Sequence, residues 1–305
     1  MFFILLVKGF FIGIAFIVPG LSGGTLAVYL GVYDKLLHSI GNIFKEFKKS
    51  VLFLLPIFIG ITISVVALAR LFSILLNWNS FIVLLFFIGL MLGGIKGIYK
   101  NISNKKANLS NILSFGIAFG LIALLVIFEK IGGATPISTI EISFKSLLIV
   151  FLVGMAASMT MIVPGISGSA LLLVLGFYTA IVSNVVGNIF DFSNIIYNLE
   201  VIIPFGLGAA LGIILFSRLI EYCLTNFKSQ TYFAILGFII ASCIAIFFEI
   251  KDSNTAQEIE NQIPIFRNLF AYLRNNIFVV FSGTGTFVLG FISSRMLMRP
   301  ELNTK

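Results

Sequence analysis

A seven-residue stretch, Val18-Pro19-Gly20-Leu21-Ser22-Gly23-Gly24, decides the fold because it occurs twice. The second copy, Val163-Pro164-Gly165-Ile166-Ser167-Gly168-Ser169, lies 145 residues later. The match continues downstream, where Leu30-Gly31-Val32-Tyr33 corresponds to Leu175-Gly176-Phe177-Tyr178. Further matches follow in the same order along the two halves: Gly9 with Gly154, Pro56 with Pro204, Gly60 with Gly208, Arg70 with Arg218 and Gly89 with Gly237. An ordered series of this kind indicates that the chain is a duplication.

The composition places both halves in a membrane. Of 305 residues, 59% are hydrophobic and 10% are charged, and the mean hydropathy is +1.12. Because soluble domains carry about 25% charged residues, this chain has too few charges to face water on all sides. Its apolar runs approach the roughly 20 residues that cross a bilayer core. Since lipid offers the backbone no hydrogen-bond partner, these runs are expected to be helices.

The sequence therefore predicts an all-α polytopic membrane protein with two inverted-topology repeats, each a re-entrant helical hairpin plus three transmembrane helices. The first repeat covers residues 1–130, with a hairpin over about 1–44 and spans over about 51–76, 80–99 and 110–129. A linker, 131–145, leads to the second repeat, 146–298, with a hairpin over about 146–190 and spans over about 200–224, 231–250 and 275–297. The number of membrane crossings in each half is odd, so the second half is predicted to have the opposite orientation in the membrane.

The loop charges support this inversion. One side of the membrane, which we name side X, comprises the loops and span ends at 45–49, 96–106, 218–228 and 295–305. These segments hold 12 basic and three acidic residues. The opposite side, side Y, comprises 129–145, 191–200 and 249–274; it holds five basic and eight acidic residues. Because cytoplasmic loops are enriched in Lys and Arg, side X is predicted to be cytoplasmic, with both termini on it.

The segments around the repeated motif are short for full spans. Lys8 lies 11 residues before Pro19, and Asp34 lies 15 residues after it. At about 1.5 Å per helical residue, each leg covers roughly 16–22 Å before it meets a charge, nearer half a bilayer than a whole one. We therefore expect two hairpins that enter from opposite faces, with their tips near the midplane.

Each tip has the elements of an anion site. Proline ends the incoming helix, glycines allow close approach of a ligand, and Ser22 or Ser167 can cap the outgoing helix, whose N–H groups and dipole attract anions. Paired helix breaks of this kind are typical of transporter substrate sites. The alternative is that the motifs only make turns in extramembrane loops. The predicted substrate-binding residues at the tips are Pro19, Gly20, Ser22, Gly23, Gly24, Thr25, Pro164, Gly165, Ser167, Gly168 and Ser169.

Arg70 and Arg218 are further candidates because each lies within an apolar run. An arginine near the centre of a span costs about 2.5–3.5 kcal/mol on insertion scales, so it usually has a partner or a function. Its forked guanidinium suits a phosphate. The alternative is that each arginine extends to the nearer interface, where Arg218 could pair with Glu221.

Other chemistry is not indicated. His38 is expected to be an interface residue rather than a proton carrier, and Cys223 and Cys243 are expected to be small buried hydrophobes. No metal-ligand spacing and no catalytic histidine beside a serine are present, so we predict neither an enzyme nor a cofactor. The net charge of +8 is spread over short loops and predicts no binding to nucleic acid.

The two motifs with their Gly-x-Tyr tails resemble the paired signatures of the PopT family of bacterial polyprenyl-phosphate translocases, over nearly the whole chain. The resemblance implies a bacterial inner-membrane protein that moves undecaprenyl phosphate from the outer to the inner leaflet, for recycling in cell-envelope polysaccharide synthesis. The second motif has Ser169-Ala170 where the first has Gly24-Thr25. The two tips therefore need not be equivalent.

Three alternatives stay open at this point. An anion channel or exchanger also uses Ser-Gly tips on broken helices. A polyprenyl-diphosphate phosphatase could share inverted hairpins, but it should carry an acid or histidine near the tips, and neither motif has one within ten residues. A structural scaffold has no need of two breaks at the midplane. The sequence does not determine the energy source or the oligomeric state.

Overall fold

The computed structural model describes residues 2–15, 23–100, 102, 108–131, 135, 137–162, 168–186, 194–256 and 262–297. Its first half consists of helices α1 (Phe2–Ile14), α2 (Gly23–Tyr29), α3 (Tyr33–Gly41), α4 (Phe47–Lys100) and α5 (Leu109–Ile131). Its second half begins with α6 (Phe144–Ile162), α7 (Gly168–Val174), a π-helical segment (Thr179–Val186), α8 (Ile195–Asn226) and α9 (Lys228–Glu249). The chain continues with strands β1 (Lys251–Asp252) and β2 (Ile263–Pro264), a 3-10 turn (Ile265–Asn268), α10 (Leu269–Asn275) and α11 (Ile277–Leu297).

Helix α4 has two arms, because Asn79 has extended backbone angles (φ −163°, ψ 96°) between them. The Asn79 side-chain oxygen accepts a hydrogen bond from the Ile82 N–H at 3.1 Å and so caps the second arm. The equivalent position in the second half is Phe227, which is also non-helical (φ −129°, ψ 45°) and separates α8 from α9. The same break therefore divides the first two spans in each half.

Within the described part of the chain, six helices are long and apolar enough to cross a membrane: Phe47–Leu68, Ile74–Tyr99, Leu109–Phe128, Ile195–Asn226, Lys228–Glu249 and Ile277–Arg295. Many large apolar side chains on these helices are exposed, among them Val66 and Phe281. Exposed apolar surface on this scale is unfavourable in water and favourable against lipid. The prediction of an all-α polytopic membrane protein is confirmed.

Equivalent glycines mark equivalent helix crossings in the two halves. A Cβ built on Gly9 of α1 would lie 2.2 Å from the Ile57 carbonyl oxygen of α4, and one on Gly154 of α6 would lie 2.3 Å from the Phe205 carbonyl oxygen of α8. Only a glycine permits backbones to approach this closely. In each half, the helix that leads into the motif thus crosses the first span in the same way.

The second and third spans pack across the two halves rather than within one half. Gly89, on the second arm of α4, meets the Phe287 backbone of α11, and a Cβ there would lie 2.1 Å from the Phe287 carbonyl oxygen. Its counterpart Gly237 of α9 meets Phe115 of α5, with a corresponding distance of 2.4 Å. The second span of each half therefore packs on the third span of the other half.

A small extramembrane unit covers the turn of α4 at Asn79. Strands β1 and β2 pair antiparallel, with Lys251 opposite Pro264. The Ser80 hydroxyl donates to the Lys251 carbonyl and accepts from the Lys251 N–H, both at 2.9 Å. The Gln262 side chain donates to the Asn77 carbonyl at 3.4 Å. These contacts join 249–274, which belongs to side Y, to the turn at 77–80, which the predicted spans 51–76 and 80–99 put on the same side.

Candidate functional site at the helix breaks

Both copies of the repeated motif lie between two helices. Helix α1 ends at Ile14 and α2 begins at Gly23, whereas α6 ends at Ile162 and α7 begins at Gly168. Gly23, Gly24 and Thr25 form the first turn of α2, and Gly168 and Ser169 begin α7. The other predicted tip residues lie outside the described residues: Pro19, Gly20, Ser22, Pro164, Gly165 and Ser167.

The helices that flank the first break are too short to span a bilayer. Helix α1 has 13 residues and α2 has seven. At about 1.5 Å per residue these helices measure roughly 20 and 10 Å, against a bilayer core of about 30 Å. Helix α7 also has seven residues, although α6, with 19, is longer. These lengths favour the re-entrant interpretation, which stays a prediction.

Each outgoing helix ends in the same glycine turn. Gly31 (φ 67°) and Gly176 (φ 79°) are the two glycines with positive φ among the described residues. The Val32 N–H donates to the Ala27 carbonyl at 3.0 Å, and the Phe177 N–H donates to the Leu172 carbonyl at 2.9 Å. This i to i−5 bond, with glycine in the left-handed region, is a Schellman cap. It redirects the chain so that Tyr33 begins α3.

Tyr33 joins the first motif to the second. Its hydroxyl donates to the Ile162 carbonyl at 3.2 Å, and Ile162 is the last residue of α6, two positions before Pro164. Tyr33 is buried. Tyr29, one turn earlier, donates to the Met91 carbonyl at 2.5 Å and anchors α2 on the second arm of α4. The outgoing part of the first hairpin thus contacts the end of the incoming helix of the second.

Thr25 is a buried polar residue without a visible partner. Its side chain is fully buried, and its hydroxyl makes no hydrogen bond with any of the described residues. A buried hydroxyl that makes no hydrogen bond costs about 1–3 kcal/mol. Such groups are rare and call for an explanation, which can be a ligand. Among the predicted tip residues, Thr25 is therefore the one whose surroundings most directly indicate a missing polar partner.

An apolar cavity of about 450 Å³ lies beside these residues. Its floor is formed by Ile12, Gly23, Gly24, Ala27 and Ile162, one wall by Tyr33, Leu36 and Ile40 of α3, and the other by Leu54, Ile57, Phe58 and Ile61 of α4, with Ile213 of α8. The first motif contributes Gly23 and Gly24 to this floor, and Ile162, which directly precedes the second motif, lies beside them. Phe58 is 68% exposed and lies near the middle of its span, so the cavity reaches the lipid-facing surface.

Arg218 lies where α3 meets α8. Its Nε donates to the Gly41 carbonyl at the end of α3, and a Cβ built on Gly41 would lie 2.9 Å from the Arg218 Cγ. Gly41 follows Ile40, which lines the cavity, so Arg218 is near the side X end of that cavity. The residue is exposed. Arg70 lies within the first arm of α4, but its side chain is outside the described part of the structure.

Glu221 pairs with residues of the first half rather than with Arg218. Its carboxylate contacts the His38 Nδ1 and accepts a hydrogen bond from the Asn42 side chain at 3.1 Å. The Tyr232 hydroxyl donates to the Asp34 carboxylate at 3.4 Å nearby. These contacts hold α3 of the first half against α8 and α9 of the second, on side X. We name the group formed by His38, Asn42 and Glu221 the side X latch.

The described residues include no group of three or more His, Cys, Asp or Glu side chains that could hold a metal ion. Cys243 is buried and Cys223 is partly buried, and both are free thiols. The chemistry of the site is therefore that of hydroxyl groups, backbone N–H groups and apolar surface.

The sequence comparisons assign the chain to a family. The model of the VCA0040-like, undecaprenyl phosphate translocase-like family matches residues 12–263. The chain belongs to that family. This membership confirms the resemblance inferred from the paired motifs and agrees with the prediction of a transporter rather than an enzyme.

Two relatives are both named polyprenyl-phosphate transporter. The polyprenyl-phosphate transporter of Staphylococcus aureus (strain NCTC 8325 / PS 47) is 33% identical over 299 residues, covering 96% of this chain and 95% of the relative. The polyprenyl-phosphate transporter of Vibrio cholerae (serotype O1, strain ATCC 39315 / El Tor Inaba N16961) is 30% identical over 249 residues, covering 77% and 74%. No solved structure matches this family member.

The structure adds residues to which the sequence assigned no role. Tyr33 was part of the quoted motif tail, and its recurrence as Tyr178 was the available signal for a structural role. Glu221 and Asn42 had no such signal, because their counterparts at the same offsets, Ser73 and Gly187, cannot form the same contacts. The side X latch therefore depends on the difference between the halves rather than on their repeat.

Proposed function

We propose that this protein is a transporter that moves undecaprenyl phosphate from the outer to the inner leaflet of the bacterial cytoplasmic membrane, so that the carrier is reused in cell-envelope polysaccharide synthesis. The family and the two relatives support a polyprenyl phosphate as the substrate. A substrate of this kind needs a polar site for one phosphate and a lateral opening for its tail. Both needs correspond to features at the helix breaks.

The observation that carries the proposal is the contact between the segments that flank the two motifs. The Tyr33–Ile162 hydrogen bond brings the outgoing leg of one hairpin to the incoming leg of the other. The unpartnered hydroxyl of Thr25 lies in the same helical turn as Gly23 and Gly24. We infer that the phosphate is held by Ser22, Thr25, Ser167 and Ser169 together with backbone N–H groups of the tips. A charge-assisted hydrogen bond to phosphate would satisfy the Thr25 hydroxyl.

The tail can remain in lipid while the phosphate crosses. Phe58, at mid-span, marks a lateral opening from the apolar cavity to the bilayer. A lipid that enters here keeps its hydrocarbon in an apolar environment throughout, which avoids the cost of exposing it to water. Only the headgroup then requires a protected path, and Arg70 and Arg218, near opposite faces of the inverted halves, are proposed to receive it on each side.

The proposed orientation has support from contacts between loops. Ser80 and Gln262, which bond to Lys251 and Asn77, join segments assigned to side Y. The side X latch joins residues assigned to side X. If one half had the opposite orientation, these contacts would join opposite faces of the membrane. They therefore support inverted repeats, and the excess of basic residues on side X supports a cytoplasmic location for that side and for both termini.

The test is the leaflet distribution of undecaprenyl phosphate in cells that lack this protein and any redundant carrier. A probe that binds the exposed phosphate is scored in cells that express wild type, Ser22→Ala/Ser167→Ala, or the matched control Ser114→Ala/Ser294→Ala, which removes two serine hydroxyls outside the tips. We expect the lipid to accumulate on the outer face without the protein. Wild type and the control should reverse the accumulation, and the tip variant should not.

An unchanged distribution would contradict the lipid substrate and favour the anion channel or exchanger. That alternative is tested with purified protein in vesicles of neutral phospholipid loaded with chloride or inorganic phosphate. A lipid transporter should release neither ion faster than protein-free vesicles. Rapid release, with no lipid translocation in the same preparation, would contradict the proposed function.

A further inference from the structure

We propose that the apolar cavity between α3 and α4 is an isoprenoid subsite, which holds the first few isoprene units next to the phosphate and distinguishes a methyl-branched chain from a straight acyl chain. The inference rests on the proposed function, because it assumes a phosphate at the adjacent tips. It assigns a task to residues outside both motifs and identifies the part of the substrate that they contact.

The position of the cavity supports this assignment. Its floor includes Gly23 and Gly24, where the phosphate is proposed to bind, and its rim includes Phe58, which is exposed to lipid. A chain attached to a phosphate at the tips therefore passes through the cavity on its way to the bilayer. The subsite lies on the route that connects the headgroup site with lipid.

The chemistry of the walls favours a hydrocarbon without charge or hydroxyl groups. Leu36 and Ile40 lie one turn apart on α3 and face Leu54 and Ile61 of α4 across the cavity. None of the described residues that line the cavity is charged. A cavity with such walls does not retain water and accepts an apolar group instead.

The volume corresponds to a short part of a polyprenyl tail. An apolar cavity of about 150 Å³ holds one benzene-sized group. The 450 Å³ observed here would thus hold about three groups of that size, or roughly three isoprene units. The remaining tail would stay in the bilayer, so the subsite recognises the chain near the headgroup and leaves its total length free.

Shape rather than hydrophobicity must provide the selectivity. Lipid tails are as apolar as leucine side chains, so transfer of a chain from bilayer to cavity gains little from the hydrophobic effect. Dispersion contacts depend on fit, and methyl branches fill the space between the opposing walls where a straight chain leaves gaps. The subsite is therefore expected to favour isoprenoid phosphates over phosphates with straight alkyl or acyl chains.

The test compares two phosphates of equal chain length. Purified full-length protein in detergent is loaded with radiolabelled undecaprenyl phosphate, which is displaced with farnesyl phosphate or with dodecyl phosphate, whose chain lacks methyl branches. We expect wild type to bind farnesyl phosphate about tenfold more tightly, a preference of about 1.4 kcal/mol. Leu54→Trp, which fills the cavity, should lose this preference while retaining dodecyl phosphate binding.

The matched control is Leu55→Trp. Leu55 is the next residue on the same helix, is exposed and does not line the cavity, so this variant should keep the preference. Leu36→Trp fills the cavity from the opposite wall and provides a second variant if Leu54→Trp does not yield monodisperse protein. The isoprenoid subsite would be overturned if wild type bound both competitors with equal affinity. It would also be overturned if Leu54→Trp and Leu36→Trp both kept the preference for farnesyl phosphate, and neither result would contradict the proposed function. Failure of wild type to bind any of the three phosphates would instead contradict the proposed function.

Discussion

At Thr25, a substitution can distinguish a role in stability from a role in transport. Because its buried hydroxyl makes no hydrogen bond within the described structure, Thr25→Val removes a polar group that folding leaves unsatisfied. Valine has nearly the same shape and a similar helix propensity. We expect the thermal stability of the purified protein to stay the same or rise, by up to about 1 kcal/mol in unfolding free energy.

Transport should respond to Thr25→Val in the opposite direction. If the hydroxyl binds the phosphate, loss of a charge-assisted hydrogen bond of about 1.5–3 kcal/mol lowers substrate affinity roughly tenfold or more. Competition binding and the leaflet assay measure this effect. Ser294→Ala is the control, because the Ser294 hydroxyl is also buried and unpartnered within the described residues but lies on α11. A Thr25→Val variant that transports normally would exclude a contact with the headgroup.

Gly31 provides a second test at the residue scale. A Cβ at this position would meet no atom within 4 Å, so the cost of a substitution comes from its positive φ of 67° alone. We expect Gly31→Ala to lower the unfolding free energy by about 1–2 kcal/mol and Gly31→Asn to lower it less, because asparagine tolerates the left-handed region. Thermal unfolding in detergent measures both variants.

Gly120→Ala is the control for the glycine turn. Gly120 lies within α5 and also has open space around a built Cβ, but it has helical geometry. Alanine should therefore leave stability unchanged or raise it through its higher helix propensity. If Gly31→Ala is as stable as Gly120→Ala, the glycine turn is not required for the path from α2 to α3.

At the scale of elements, α3 is the piece that joins the halves on side X. Its start is bonded to the end of α6 through Tyr33, and its end is bonded to α8 through the side X latch and Arg218. The same helix forms one wall of the apolar cavity. A movement of α3 away from α8 would thus open the cavity towards side X and separate the two motifs, which are the changes that alternating access requires.

This movement predicts the effect of weakening the latch. Ile40→Cys, in a background with Cys223→Ser and Cys243→Ser, places a thiol in the cavity wall. Glu221→Gln should increase its rate of labelling by a water-soluble maleimide added to side X. The pair of His38 with Glu221 is partly exposed, with side chains 48% and 29% accessible. Such pairs contribute about 0.2–1 kcal/mol, so the increase should be roughly 1.4-fold to fivefold.

Lys49→Gln is the control for the latch. Lys49 pairs with Glu46 at 3.3 Å on the same side of the membrane, but this pair lies within the first half. Its removal should leave the labelling rate unchanged. Equal labelling of the parent and Glu221→Gln would indicate that the latch does not restrain α3.

At the scale of the whole molecule, the packing of the second span of each half on the third span of the other half holds the two halves together. The second arm of α4 packs on α11, and α9 packs on α5, each through a glycine against a phenylalanine backbone. If transport involves movement of one half against the other, we expect that movement to preserve these two close contacts. The motif contacts, which depend on single hydrogen bonds, are the weaker links between the halves.

The proposed inversion of the halves predicts which positions face the outside. Lys48→Cys on side X and Arg267→Cys on side Y both replace exposed residues, in the same Cys223→Ser and Cys243→Ser background. An impermeant maleimide should label only Arg267→Cys in intact cells and both variants after the membrane is permeabilised. Labelling of both positions in intact cells, or of Lys48→Cys alone, would contradict the proposed topology.

Local patterns in the sequence were sufficient for the class of fold, and they also carry the prediction of a repeat. A run of about 20 apolar residues has a single stable conformation in lipid, which is a helix that satisfies its own backbone. Proline and glycine end helices for reasons contained in a few neighbouring residues, so the breaks between Ile14 and Gly23 and between Ile162 and Gly168 follow the motif. The family assignment also depends on these motifs.

Only the tertiary structure decided which of these elements meet. Helix α4 packs on α11 rather than on α5, and Glu221 contacts His38 rather than Arg218. The local helix preferences of the chain would be the same for either choice of partner. Such pairings depend on the fit of surfaces far apart in sequence, as does the burial of Thr25 and the cavity beside it. The sequence thus predicted where the helices break, and the packing of distant helices determined that Gly23 and Ile162, which flank the two breaks, line the same cavity.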